Sequence, residues 1–336
     1  MATIPILIGA CLLFMSLYLT LLLRPKSIKI PIKNRHVFIT GGSSGIGLSI
    51  AHQATSEGAR VTILARDPNK LQEARDSIRL STGVNVNIAI ADVRDFETLK
   101  AVVDEADPID VLVCNQGVYF AGELEFQEME NVKMMVDVNL MGTLNLIKAA
   151  LPKMKKNRRT RGPASIALMS SQAGQCGVYG YTTYSATKFA LRGLGEALQM
   201  ELISDDIHVS LIFPPDTATP GLIEEKKRRP RVTKKIAACS SSLTADEVAR
   251  KTLNGIKSGT FLVSCNFLGF FMCLGAADFA PQRSILTAFT EIFAAGIIRF
   301  YAFALLWRFY EVTSRCNTNS SHKKEDGMMK NGSKLM

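Results

Sequence analysis

Tyr184 and Lys188 stand four residues apart in a stretch patterned as a helix from Tyr184 to Leu202, so they share one face with an ammonium beside a phenol. An adjacent positive charge favours phenolate and lowers a phenol pKa that is normally about 10. Tyr184 is therefore expected to act as an acid and base near neutral pH. Ser171 closes an apolar run predicted as a strand, and from there its hydroxyl can hydrogen-bond a substrate carbonyl. Singly these are a helix-surface tyrosine, a solvated lysine and a loop serine. Together, downstream of a glycine-rich loop, they form a candidate catalytic group.

That loop is Thr40 to Gly47, TGGSSGIG, directly after the first predicted strand and opening a helix. Glycines there let the backbone turn tightly and approach a pyrophosphate, and the helix N-terminus supplies free N–H groups and positive dipole. Gly41, Ser43, Ser44, Gly45, Ile46 and Gly47 are thus expected to bind a dinucleotide. The same letters also read GxSxG, the nucleophile elbow of hydrolases. A hydrolase needs an acid and a histidine further on, and neither His208, in a predicted strand, nor His322, in the tail, is well placed.

The second strand ends in Ala65, Arg66, Asp67, where an acid would hold a ribose 2′-hydroxyl. Arg66, with Lys70 one turn on, would instead neutralise a 2′-phosphate while Asp67 turns outward, which favours NADP over NAD. The alternative is that both cations are solvated charges at a helix start. Asp92, past the third strand, is a plausible acceptor for an adenine amino group, and Asn115, Gln116 and Gly117 lie near the cofactor in the same reading.

These residues need a scaffold, and the chain supplies one. Short apolar runs at 37–40, 61–64, 86–90, 111–114, 165–170, 209–213 and 261–264 alternate with helical patterns at 45–57, 68–80, 131–156 and 184–202. A last helix opens on the capping box Thr244 to Glu247. This order predicts an α/β fold with a doubly wound parallel sheet of about seven strands covered on both faces.

TGGSSGIG, Asn-Gln-Gly at 115–117, Asn139 in VDVNLMG, Ser171 and Tyr184-Ser-Ala-Thr-Lys188 resemble, in order and spacing, the short-chain dehydrogenase/reductase family over residues 35–265. The family more often has Asn-Ala-Gly at 115–117. The resemblance implies a Rossmann-like fold, with Asn139 completing a catalytic tetrad by steadying a water and Lys188. It also implies that Tyr184 and Lys188 contact the cofactor, Lys188 through the nicotinamide ribose, and that the chain forms a homo-oligomer through helices near Asn131 and Tyr184. SSQAGQCGVYGYTTYSATKFALRGLGEALQMEL and PPDTATPG resemble more narrowly the branch that reduces a long-chain-base lipid at the endoplasmic reticulum membrane. Another lipid ketone, or a catalytically idle NADPH-binding scaffold, remains an alternative from sequence.

Of 336 residues, 47% are hydrophobic and 21% charged, which excludes general disorder. The mean hydropathy of +0.13 is high for a wholly soluble enzyme. The net charge of +10 sits in Lys153–Arg161 and Lys226–Lys235, whose 13 cations leave 27 basic against 30 acidic residues elsewhere. With no aromatic interleaving, nucleic acid is not an expected partner. Seven scattered cysteines without CxxC read as reduced thiols, and four histidines without metal-ligand spacing predict no metal site.

Ile4 to Leu23 is uncharged and is followed by five cations from Arg24 to Arg35, which predicts an uncleaved transmembrane anchor with the body in the cytosol. The expected layout is an anchor over 1–30, the NADP-binding domain over 35–265, an apolar membrane-associated segment over 266–312 and a disordered polar tail over 313–336.

Overall fold

The computed structural model describes residues 9–11, 13–14, 17–18, 28–156, 158–238, 240–277, 280–282 and 285–332. Most of the Ile4 to Leu23 run lies outside them; Phe14 and Tyr18, which lie inside, are helical and exposed.

Seven strands form one parallel sheet: β1 (His36–Thr40), β2 (Arg60–Ala65), β3 (Asn87–Ile90), β4 (Val111–Cys114), β5 (Ala164–Met169), β6 (Ile207–Phe213) and β7 (Leu262–Ser264). Their order is β3-β2-β1-β4-β5-β6-β7, so the chain reverses direction across the sheet between β1 and β4. In open α/β sheets, ligands bind at the carboxyl ends beside such a switch point. Each expected strand is present to within about two residues of its predicted limits.

Side chains alternate across the strands and both faces are covered. Val37, Ile39, Val61 and Ile63 pack under α1 (Gly45–Ser56), α2 (Pro68–Thr82) and α9 (Ala245–Ser258). Phe38, Leu112, Ile166 and Leu211 pack on the opposite face under α3 (Phe96–Glu105), α5 (Gly142–Lys155) and α6 (Thr182–Leu202). The Thr244 capping box is present, with the Thr244 hydroxyl accepting from the Glu247 N–H and the Glu247 carboxylate accepting from the Thr244 N–H. Ahead of β1, Ile30 and Ile32 are buried against Leu253 and Ile256, and the Ile30 N–H donates to the Lys257 carbonyl at 2.9 Å.

Below the sheet, at the amino ends of β1, β4 and β5, the Asp110 carboxylate is fully buried. It accepts from Arg35 at 3.1 Å, Arg158 at 2.9 Å, Arg161 at 2.6 Å and the His36 N–H at 3.0 Å. Burial alone would push this carboxyl up. The hydrogen bonds from Arg161, His36 and Arg158 more than offset that and hold it at about 2. Four of the six cations of the first basic run are thereby explained: Lys153 donates to carbonyls at the end of α3, Lys155 pairs with Asp205, and Arg158 and Arg161 hold Asp110.

The expected helix 131–156 is broken into α4 (Met129–Val136), a π-helical turn (Asp137–Met141) and α5. Past β6, α7 (Pro220–Arg228) and α8 (Arg231–Ala237) carry the second basic run, and α10 (Phe267–Gly275) and α11 (Ile285–Gly332) follow β7. Gly275 lets α11 approach α10 closely, since a Cβ there would lie 2.8 Å from Ile298.

The tail expected to be disordered continues α11 as far as Gly332. No proline follows Pro281 to interrupt it. Among the described residues, two helical stretches are long and apolar enough to cross a membrane, the continuous run Met129–Lys155 and Leu286–Cys316. The first is half buried in the domain, whereas the second exposes Ile292, Phe293, Ile297, Phe300 and Trp307. Exposed apolar surface of this kind marks contact with lipid or another protein.

Candidate active site

β5 ends in Met169 and hands the chain to Ser170 and Ser171 at the carboxyl edge. Three contacts clasp that end to α6: Ser170 Oγ donates to the Lys188 carbonyl at 2.9 Å, Lys188 Nζ donates to the Met169 carbonyl at 2.8 Å, and Gly174 leaves room for the Lys188 backbone. Ser171, whose Oγ accepts from the Ala173 N–H at 3.1 Å, lines one cavity with Tyr184 and Lys188, and Lys188 Nζ lies 5.6 Å from the Tyr184 ring centroid. Tyr119 and Tyr181 pack against the Tyr184 ring at 5.6 and 5.7 Å. The three residues read as a catalytic group therefore meet at one point.

Asn139 sits in the π-helical turn, fully buried. Its Oδ1 accepts from the Val118 N–H at 2.8 Å, and its Nδ2 donates to the Val118 carbonyl at 2.9 Å and to Thr187 Oγ1 at 3.1 Å. Asn139 Oδ1 and Lys188 Nζ each lie 3.5 Å from where a Cβ would stand on Gly117. A side chain at 117 would fill the space between them.

The glycine loop has the conformation its residues call for, with Gly41 at φ +62 and Gly45 at φ +54, both left-handed. A Cβ on Gly47 would stand 2.3 Å from the Gly41 carbonyl, so only glycine fits. Gly47→Val is expected to abolish NADPH binding, read by nucleotide fluorescence titration. Asn115 braces the loop by donating to the carbonyls of Thr40 and Gly41 at 3.2 and 3.3 Å. Gln116, in place of the family's alanine, accepts from Thr40 and donates to Thr143 at 2.8 Å, linking β1 to α5.

A cavity of about 260 Å³ opens beside this loop, lined by Gly41, Ser43, Ser44, Arg66, Lys70 and Asp92 among others. Asp67 is the N-cap of α2, accepting from the Asn69 and Lys70 N–H groups, but it still lines the cavity, so the expected outward turn is not seen. Asp92 lines the same cavity, with its carboxylate accepting from Arg94 at 2.7 Å and Arg66 lying 3.9 Å away. The left-handed glycines, the helix N-terminus and the cations Arg66 and Lys70 on the cavity wall fit an NADP nucleotide. The hydrolase alternative finds no base among the described side chains. His36 and His208 lie at the amino ends of β1 and β6, and His52 bonds Ser81.

Residues 35–230 match the model of the short chain dehydrogenase family. The chain belongs to that family. A protein of Arabidopsis thaliana named 3-dehydrosphinganine reductase is 57% identical over 88% of this chain and 90% of its own length. One of that name from Danio rerio is 36% identical over 88% and 90%. L-sorbose reductase of Gluconobacter frateurii, solved with NADPH and L-sorbose, is 26% identical and superposes with a TM-score of 0.62 over 72% of this chain and 99% of its own.

Tyr184 is half-buried at the cavity wall, and its loss of solvent pushes the phenol up to about 12 against a smaller lowering by the neighbouring Ser171 hydroxyl. The expectation of a lowered phenol is thus corrected, because loss of solvent, reinforced by Asp216 and Glu225, outweighs the lowering by Ser171. Burial also brings Lys188 down to about 8.

A second cavity, of about 490 Å³, runs from Ser171, Tyr184 and Lys188 past Asp216 and Arg229 to Leu268 and Met272 of α10 and Leu305 and Phe309 of α11. Sequence reasoning missed Tyr119, Tyr181 and Asp216. Asp216 lies in the quoted PPDTATPG, but nothing local marks it as facing the site.

Proposed function

We propose that this chain reduces the keto group of 3-dehydrosphinganine (3-ketodihydrosphingosine) to the alcohol of sphinganine with NADPH, a step of sphingolipid synthesis. The observation that carries this reading is the convergence of Ser171, Tyr184 and Lys188 on a cavity whose far wall is apolar. The names of relatives spanning nearly the whole chain supply the substrate.

Bound NADPH supplies the hydride to the carbonyl carbon. Tyr184 donates its phenolic proton to the oxygen that becomes the alcohol, and the Ser171 hydroxyl donates a hydrogen bond to that oxygen. The Lys188 ammonium stabilises the phenolate left behind, and Asn139 fixes Val118 and Thr187 around it. Arg66 and Lys70 receive the 2′-phosphate. Arg66→Ala is expected to weaken NADPH binding about 10- to 100-fold, the size of a charged hydrogen bond, with NADH binding unchanged in the same titration.

The reading includes a membrane setting. In it, Ile4–Leu23 and Leu286–Cys316 associate with the endoplasmic reticulum membrane and the 35–265 domain faces the cytosol. The apolar exposed face of α11 supports it.

The deciding experiment follows NADPH oxidation by membranes containing the protein, with 3-ketosphinganine, a 3-ketoacyl chain and a steroid ketone in parallel. Turnover of 3-ketosphinganine alone is the expected result. Turnover of another ketone alone would move the substrate, and NADPH binding without any turnover would remove the enzyme.

A further inference from the structure

The segment leaving β6, Pro214-Pro215-Asp216-Thr217, is pinned to the catalytic edge. The Pro214 carbonyl accepts from the N–H of Gln172, next to Ser171, at 3.0 Å; the Asp216 carbonyl accepts from Leu243 at 3.0 Å. The Asp216 carboxylate accepts from Arg229 Nη1 at 2.6 Å and Nη2 at 3.2 Å. The same guanidinium donates through Nε to both oxygens of Glu225, at 2.9 and 2.7 Å, and Tyr181 also donates to Glu225.

Two carboxylates thus share one guanidinium. Arg229 and Glu225 are buried, with side chains 3% and 2% exposed, while Asp216 is 29% exposed and lines the active-site cavity. A surplus negative charge in a half-buried place is costly unless a cation meets it. The other charged side chains lining this cavity are Lys188, held on the Met169 carbonyl, and Arg308 of α11. Lys226 and Lys234 border a neighbouring cavity that Asp216 also reaches, and neither lines this one.

The cavity therefore has a reacting point at Ser171 and Tyr184, an anionic group beside it and an apolar end between α10 and α11. Asp216 and Glu225 both act on the Tyr184 phenol, pushing it up, so their field reaches the reacting oxygen. We propose that Asp216 is a specificity determinant that receives the ammonium group adjacent to the substrate's ketone, selecting long-chain amino ketones over neutral ketones of similar length. The inference rests on the reduction proposed above and deepens it.

The test compares kcat/KM for 3-ketosphinganine and for the same molecule lacking the amine, using full-length protein with NADPH. The wild type is expected to favour the amine about 10- to 100-fold, the worth of one charge-assisted hydrogen bond. Asp216→Asn should bring the ratio close to one, and Asp216→Glu should keep most of it. Equal losses on both substrates in Asp216→Asn would overturn the inference, leaving Asp216 as a brace for Arg229. A wild-type ratio near one would overturn it without recourse to any variant. If the wild type turned over neither long-chain ketone while still binding NADPH, the reduction itself would fall. Normal turnover of the amino ketone with an unselective site would sink the inference alone.

Discussion

Tyr184→Phe is expected to lower kcat for ketone reduction by about 10²- to 10⁴-fold, the usual contribution of a positioned general acid, while NADPH binds as before. The substitution removes one oxygen and keeps the ring that packs between Tyr119 and Tyr181, so the cavity wall should survive. Stopped-flow absorbance at the nicotinamide band separates the two quantities, since binding and hydride loss have different amplitudes. Near-normal turnover in this variant would mean that the proton comes from elsewhere. The phenol, pushed up to about 12, stays protonated throughout the neutral range, which is the form that reduction consumes. Lys188 loses its charge as pH rises through about 8, and with it the cation that stabilises the phenolate. The rate of reduction should accordingly decline above that pH.

Asp110→Asn is expected to destabilise the domain by about 3–5 kcal/mol, the typical result of removing one member of a buried charge network. Three guanidinium groups converge on this one carboxylate, and the variant leaves their charges without a counter-ion in a place where Asp110 itself has no solvent exposure. Thermal unfolding of solubilised protein followed by circular dichroism would report the loss, and an unchanged midpoint would refute it. The pH dependence has a definite sign. The folded carboxyl is held at about 2 against an ordinary 3.8, so its stabilisation is complete above about 4 and is lost as pH falls toward 2. The asparagine variant should lack that acid-side dependence.

Most of the sheet and the catalytic group were legible because their signals are local. Strands read as short apolar runs, the loop as TGGSSGIG, and Tyr184 and Lys188 as neighbours on one helical face. What escaped depends on distant partners or on subtle backbone choice. No pattern of side chains distinguishes the π turn around Asn139 from the α-helix on either side of it. The basic runs read as unexplained charge because their carboxylates are remote in sequence: Arg158 meets Asp110 from 48 residues away and Arg229 meets Asp216 from 13. The pairing of Asp92 with Arg94 is also a side-chain choice that spacing does not reveal. The wall that α11 contributes to the cavity was likewise invisible, since hydropathy reports that Leu286–Cys316 is apolar but not what one side of it touches.

The strap ahead of β1 bears on the order in which the molecule can assemble. Ile30 and Ile32 find their cover on α9, and the Glu57–Lys257 ion pair that closes the same face joins residues 200 apart. A nascent chain must therefore carry the outer side of α1 and this strap uncovered until α9 has left the ribosome. A chain stopped before Ser258 would keep those apolar surfaces open, the kind of intermediate that aggregates. Completion of the amino-terminal half is thus set by the last helix of the sheet domain.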